Sequence, residues 1–219
     1  LFSKMFFFSY PSRDHKVLSN INLVFKKKEK IGIIGSTGSG KTTFVDILTG
    51  LLKPSSGEVL VDGKNINLNL KSWHSFIGYV PQKVFLNSDS LRKNIAFHLI
   101  DEKISDNRIL KSIQGAQLDL FVKSLEDGQN TKVGEDGKQL SGGQRQRIGI
   151  ARLLYKNPEI FVFDEATSAL DEQTENNFIE AVENLSKEKT IFIISHKKSI
   201  LNICDKVYKV ENSKMEKIQ

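Results

Sequence analysis

Apolar positions in this chain fall into two kinds of run, and the way the two alternate predicts the fold. Lys30–Ile34 is a short apolar run that ends in a glycine-rich turn. Behind the turn, Phe44, Ile47, Leu48 and Leu51 recur at helical spacing. Gly50 and Pro54 close that predicted helix, and Ser55-Ser56-Gly57 reads as the turn after it. Val59 and Val61 alternate with polar neighbours ahead of Asp62-Gly63, a hairpin signal, and Ile77–Val80 reads as another strand. From about residue 91 to residue 125 the spacing becomes helical, with Leu118, Phe121, Val122 and Leu125 as one stripe. Residues 128–143 are rich in glycine and read as loop, while Ser141 suits the N-cap of a helix carrying Ile148, Ala151 and Tyr155. Asn157-Pro158 ends that helix. Residues 160–163 and Thr190–Ile194 are continuous apolar runs, the pattern of parallel strands buried on both faces. Strands alternating with helices predict an α/β core, assigned to residues 1–82 and 156–219, with 83–155 as a helical insert in the same domain.

Composition narrows the class. At 219 residues, 39% hydrophobic and 26% charged, the chain is long enough to bury one sizeable core. No apolar run approaches the ~20 residues of a membrane-spanning helix, and no basic leader with an apolar stretch precedes a cleavage site. The start at Leu1 suggests a piece of something longer. The one cysteine, Cys204, cannot form an internal disulfide, which fits a reducing cytoplasm. The net charge of +6 includes Lys26, Lys27, Lys28 and Lys30, read as a solvated loop between two strands. Nucleic acid and an anionic membrane face are the sharper readings of that cluster, and charge does not decide among them.

The chemistry concentrates in two segments. Gly35-Ser36-Thr37-Gly38-Ser39-Gly40-Lys41-Thr42 satisfies G-x-x-x-x-G-K-[ST] between a predicted strand and a predicted helix. Its glycines let backbone N–H groups approach phosphate oxygens, and the positive helix terminus adds to the attraction. Lys41 can reach the β- and γ-phosphates, and the Thr42 hydroxyl can ligate Mg²⁺. A chance match in a chain this long has odds of about one in a hundred, so nucleotide binding is the stronger reading. Asp164-Glu165, after a buried strand, supplies two carboxylates that strand alternation should aim apart. Asp164 suits holding Mg²⁺, and Glu165 suits deprotonating an attacking water.

Leu140-Ser141-Gly142-Gly143-Gln144, 20 residues before Asp164, resembles the signature motif of the ABC ATPases. The resemblance runs the whole length. It implies a P-loop NTPase core with a mostly parallel sheet, an N-terminal antiparallel portion and an inserted helical subdomain. By the same resemblance, Tyr10 looks like the aromatic that stacks on adenine, and Gln82 like the glutamine that touches Mg²⁺ or water. His196 resembles the histidine that contacts the γ-phosphate, and Ser168-Ala-Leu-Asp171 the loop that meets the opposite subunit. Lys41, Gln82, Glu165 and His196 are thus the candidate catalytic residues. The nucleotide contacts are Tyr10, residues 35–42, Thr43, and Ser141 to Gln144; Thr42, Gln82 and Asp164 are assigned to the metal. The loops Lys132-Val-Gly-Glu135-Asp-Gly137 and Phe85-Leu-Asn-Ser-Asp-Ser-Leu-Arg-Lys-Asn-Ile95 resemble exporters. Ser195-His196-Lys197-Lys198 departs from the more usual Ala-His-Arg-Leu without touching a group assigned a role.

In the family two such domains pack head to tail, each ATP lying between one glycine loop and the other copy's signature. The resemblance therefore implies ATP and Mg²⁺ as cofactors, a second copy as ATP-dependent partner and a covalently N-terminal transmembrane domain, with this domain, itself soluble, on the cytoplasmic side of an inner or plasma membrane. An importer motor is one alternative. A soluble ABC ATPase acting on nucleic acid or the ribosome is another. The roughly 100 residues between glycine loop and signature lack sustained heptads, so no nucleic-acid partner is expected.

Overall fold

The computed structural model describes residues 6–8, 16–97, 99–134, 137–167 and 170–219. The described strands and helices run β1 (Phe6–Phe8), β2 (Leu18–Ile21), β3 (Lys30–Ile34), α1 (Lys41–Thr49), β4 (Ser56–Gly57), β5 (Leu60–Val61) and β6 (Lys64–Asn65). There follow α2 (Leu70–Phe76), β7 (Ile77–Val80), α3 (Leu91–Ile95), α4 (Asp106–Gly115), α5 (Asp119–Lys123) and α6 (Gly142–Lys156). The chain ends through β8 (Ile160–Asp164), α7 (Glu172–Ser186), β9 (Thr190–Ile194), α8 (Lys198–Asn202), β10 (Lys206–Glu211) and β11 (Lys214–Lys217). The chain separates into two units, one of residues 1–79, 159–164 and 185–219, the other of residues 80–158 and 165–184.

The first unit is built on β8 and β9, both buried at every position as their unbroken apolar runs require. They pair in parallel, Val162 opposite Phe192, and β9 pairs in parallel with β3, where Ile31 faces the same Phe192. β10 joins β3 in parallel, and the whole sheet has the order β11-β10-β3-β9-β8-β7. β11 folds back antiparallel on β10 through Asn212 and Ser213, both at positive φ, the geometry of a tight hairpin turn. Asp62 (φ 49) and Gly63 (φ 79) turn β5 into β6 in the same way, as the sequence suggests. Phe25 ties loop, sheet and α1 together, with edge-on contacts to Phe44, Phe192 and Tyr208 at centroid distances of 6.4, 5.1 and 5.5 Å.

Two expectations fail here. Ser56-Gly57 is not a turn but the strand β4, which joins β1 and β2 in a small antiparallel sheet in the order β2-β1-β4. Pairing with Phe6 and Phe7, distant in sequence, overrides the turn propensity of the dipeptide. Leu51, placed in the helical stripe, lies beyond the left-handed cap Gly50 and is 60% exposed. Lys26, Lys27 and Lys28 are exposed in the loop between β2 and β3, where the expected solvated loop falls.

In the second unit α6 is the central element, packing on α3 and α4. Ile148, Ala151 and Tyr155 are buried as their spacing predicts, and Asn157 closes the helix in a left-handed conformation. The Tyr155 hydroxyl accepts from the Ser105 N–H at 3.0 Å, fixing the start of α4. The glycine-rich stretch is loop only in part: Gly142 and Gly143 already belong to α6. Among the described residues no helix is long and apolar enough to cross a membrane.

Candidate active site

In the first unit the turn from β3 into α1 is shaped by what cannot be there. A Cβ on Gly35 would lie 2.4 Å from the Val210 carbonyl oxygen and 2.6 Å from Ser39 Oγ, so only glycine fits. Gly40 caps α1 at φ 106, a conformation other residues adopt only with strain. Ser36, Thr37 and Gly38 face solvent, and the amides of the first turn of α1 have no partner within the helix. Ser39 Oγ is buried without a hydrogen-bond partner.

Lys41, only 7% exposed, folds back across this loop. Its Nζ donates to the Gly35 carbonyl at 2.6 Å and the Ser36 carbonyl at 2.9 Å, so the ammonium stands over the glycine turn. Thr43 is buried against the core side of the helix. Thr42 points the other way, and its hydroxyl donates to Asp164 Oδ2 at 3.1 Å. Asp164, 4% exposed at the end of β8, receives a second hydroxyl on that oxygen from Tyr79, also at 3.1 Å. Asp46, one turn along α1, is raised above the usual carboxylate range by burial and by the charge of Asp164. His196 stands exposed just after β9, its loop held by the Lys197 N–H donating to Ser195 Oγ.

The second unit holds the other candidates. The strand ends at Asp164, and Glu165 sits at φ 49, in the left-handed region. Gln82 Nε2 donates to Glu165 Oε2 at 2.7 Å, and Gln146 Nε2 holds the Gln82 carbonyl at 2.6 Å. At the head of α6, Ser141 and Gln144 form a reciprocal capping box: Gln144 N–H to Ser141 Oγ at 3.1 Å, and Ser141 N–H to Gln144 Oε1 at 2.8 Å. Since the Ser141 hydroxyl accepts there, its own proton is left to donate outward. Ser141 and Gly142 are exposed, so this helix terminus is open to an anion. Asp171 caps α7 through the Thr174 N–H at 2.9 Å, which holds its carboxyl below the usual range. Tyr10, with Ser168, Ala169, Glu135 and Asp136, lies outside the described residues.

These groups fit a polyphosphate and its metal. The orphaned Ser39 hydroxyl, the loop amides and Lys41 are donors converging on one exposed turn. Thr42 and Asp164 are adjacent hard-oxygen donors, the ligand type Mg²⁺ takes when phosphates and water complete its shell. Sequence reasoning missed Tyr79 and Asp46, because their proximity to Asp164 comes from the packing of β7 and α1 around the end of β8.

Comparison with known proteins places these motifs in context. The profile described as ABC transporter matches residues 18–168. ABC transporter B family member 14 of Arabidopsis thaliana is 40% identical over 201 residues, covering 91% of this chain and 16% of that protein. An ATP-dependent lipid A-core flippase of Francisella tularensis is 38% identical over 208 residues, covering 94% of this chain and 34% of its own length. A solved structure titled as a bacterial Atm1-family ABC exporter with ATP bound superposes with a TM-score of 0.92 at 32% identity. That match covers 97% of this chain and 37% of the exporter chain. The chain thus spans about a third or less of the proteins it resembles.

Proposed function

Because this chain belongs to the ABC transporter family, as one of its ATPase domains, we propose that it is the motor of a membrane exporter or flippase. In this reading it lies on the cytoplasmic side of the membrane, joined to a transmembrane domain that precedes it in the chain. Relatives named as flippase and exporter support that choice. The observation that carries the ATPase reading is the meeting of Thr42 and Asp164 at 3.1 Å beside a glycine loop bridged by Lys41.

Family resemblance supports the division of roles in this reading. The amides of the glycine loop and of the first turn of α1, that of Thr43 among them, cradle the phosphates of ATP together with the Ser39 hydroxyl, and Tyr10 stacks on the adenine. Lys41 exchanges the carbonyls of Gly35 and Ser36 for phosphate oxygens. Thr42 and Asp164, with Gln82, would hold Mg²⁺, which when bound neutralises charge on the phosphate oxygens. Glu165, kept in place by Gln82, accepts the proton of the attacking water, and His196 contacts the γ-phosphate. Ser141, Gly142, Gly143 and Gln144 present an anion site to the nucleotide of a second copy, packed head to tail so that two ATP lie at the interface.

A shared site makes turnover second order in the chain. Hydrolysis per chain should rise with chain concentration under saturating MgATP, and light scattering should show dimers only with ATP. A rate per chain that is independent of concentration over a hundredfold range refutes the shared site while leaving the ATPase assignment intact.

A further inference from the structure

We propose that Tyr79 is a positioning residue for Mg²⁺, its hydroxyl fixing the carboxylate of Asp164 in the orientation that binds the metal. This rests on the reading above, in which Asp164 is a metal ligand.

The placement comes from the sheet. β7 is the neighbour of β8 at the edge of the sheet, and Tyr79 lies one residue from the end of β7. The phenol thereby reaches Asp164 Oδ2 at 3.1 Å, the same oxygen that Thr42 reaches from α1 at the same distance. The two donors differ in kind. Thr42 belongs to the oxygen set assigned to the metal, whereas Tyr79 acts through the carboxylate. A buried carboxylate is stable only when hydrogen-bonded, and one with a single tether keeps the freedom to rotate about its terminal torsion. Hydroxyls reaching it from α1 and from β7 restrict that freedom.

The surroundings make the second tether matter. Burial, and then the charge of Asp164, raise the Asp46 carboxyl, so the two acidic groups lie near enough to sense each other. The Tyr79 phenol is half-buried beside the Asp164 carboxylate and donates to it. Partners of this sort behind a metal ligand commonly govern metal affinity by about 10- to 100-fold.

The test compares wild type with Tyr79→Phe, which removes one oxygen and keeps the ring. Fluorescent-nucleotide titrations are run in EDTA and over a Mg²⁺ series. The half-saturating Mg²⁺ concentration should rise by about 10- to 100-fold, while affinity for metal-free ATP stays within about twofold. Introduced into Asp164→Asn, the same change should add nothing further, because its route to the metal is already altered. An unchanged Mg²⁺ requirement overturns the proposal, and so does an effect that simply adds to Asp164→Asn. Loss of metal-free ATP binding overturns it too, since the hydroxyl would then be serving the fold. If wild type itself binds nucleotide with no Mg²⁺ dependence, what fails is the assignment of Asp164 to the metal.

Discussion

Glu165→Gln separates the chemistry of this site from its binding. The amide matches the carboxylate in size and can accept the Gln82 Nε2–H that now reaches Oε2 at 2.7 Å, so the neighbour stays in place. The left-handed backbone at φ 49 is common to both residues, and the substitution adds no strain of its own. What disappears is the ability to take a proton. A positioned base contributes about 10²–10⁴-fold, equivalent to about 2.7–5.4 kcal/mol at 1.36 kcal/mol per tenfold, and turnover should fall by that factor. Nucleotide binding should not fall with it. The bonds that arm the cradle run from Lys41 to the Gly35 and Ser36 carbonyls and from Thr42 to Asp164, residues the change leaves as they are. Loss of a negative charge beside the phosphates should favour the loaded state and prolong the ATP dimer. Phosphate release at saturating MgATP gives the rate, and fluorescent-nucleotide titration gives the affinity. A wild-type rate means Glu165 is not the base, leaving His196 as the next candidate. An affinity loss that accounts for the whole rate loss means Glu165 serves binding.

Two further substitutions probe the frame around that chemistry. Lys41→Ala removes the ammonium that caps the glycine turn. With two hydrogen bonds to a charged group at stake, at about 1.5–3 kcal/mol each, ATP affinity should drop by about a hundredfold or more; an unchanged titration curve refutes the assignment of the loop. Phe25→Ala empties a fully buried position that meets Phe44, Phe192 and Tyr208 edge-on. Urea unfolding should show a loss of about 3–5 kcal/mol, and a loss below about 1 kcal/mol means the cavity collapses or the aromatic cluster is not the core.

The parts of this protein that were legible in its sequence are those whose physics is local. A loop that must bring amides to phosphate needs glycine at fixed spacing, so residues 35–42 declare themselves, as does the capped helix at Ser141. Strands covered on both faces must be apolar without interruption, so β8 and β9 could be read directly. β4 could not, because Ser56-Gly57 carries turn residues and becomes strand only by pairing with Phe6 and Phe7. Nor does the sequence announce the left-handed backbone at Glu165, a conformation uncommon for a residue with a long side chain.

The same distinction explains why the second tether on Asp164 was invisible. Tyr79 and Asp164 are separated by 85 residues and share no motif; what joins them is that β7 lies beside β8. Neighbouring strands lie about 5 Å apart, which brings the Tyr79 side chain within reach of Asp164. An aromatic hydroxyl at that point therefore satisfies two demands at once, filling the edge of the core with its ring while delivering a donor to a desolvated carboxylate. The sheet contributes more than a rigid base for the glycine loop: its order of strands decides which side chains can reach the charged group at the end of β8.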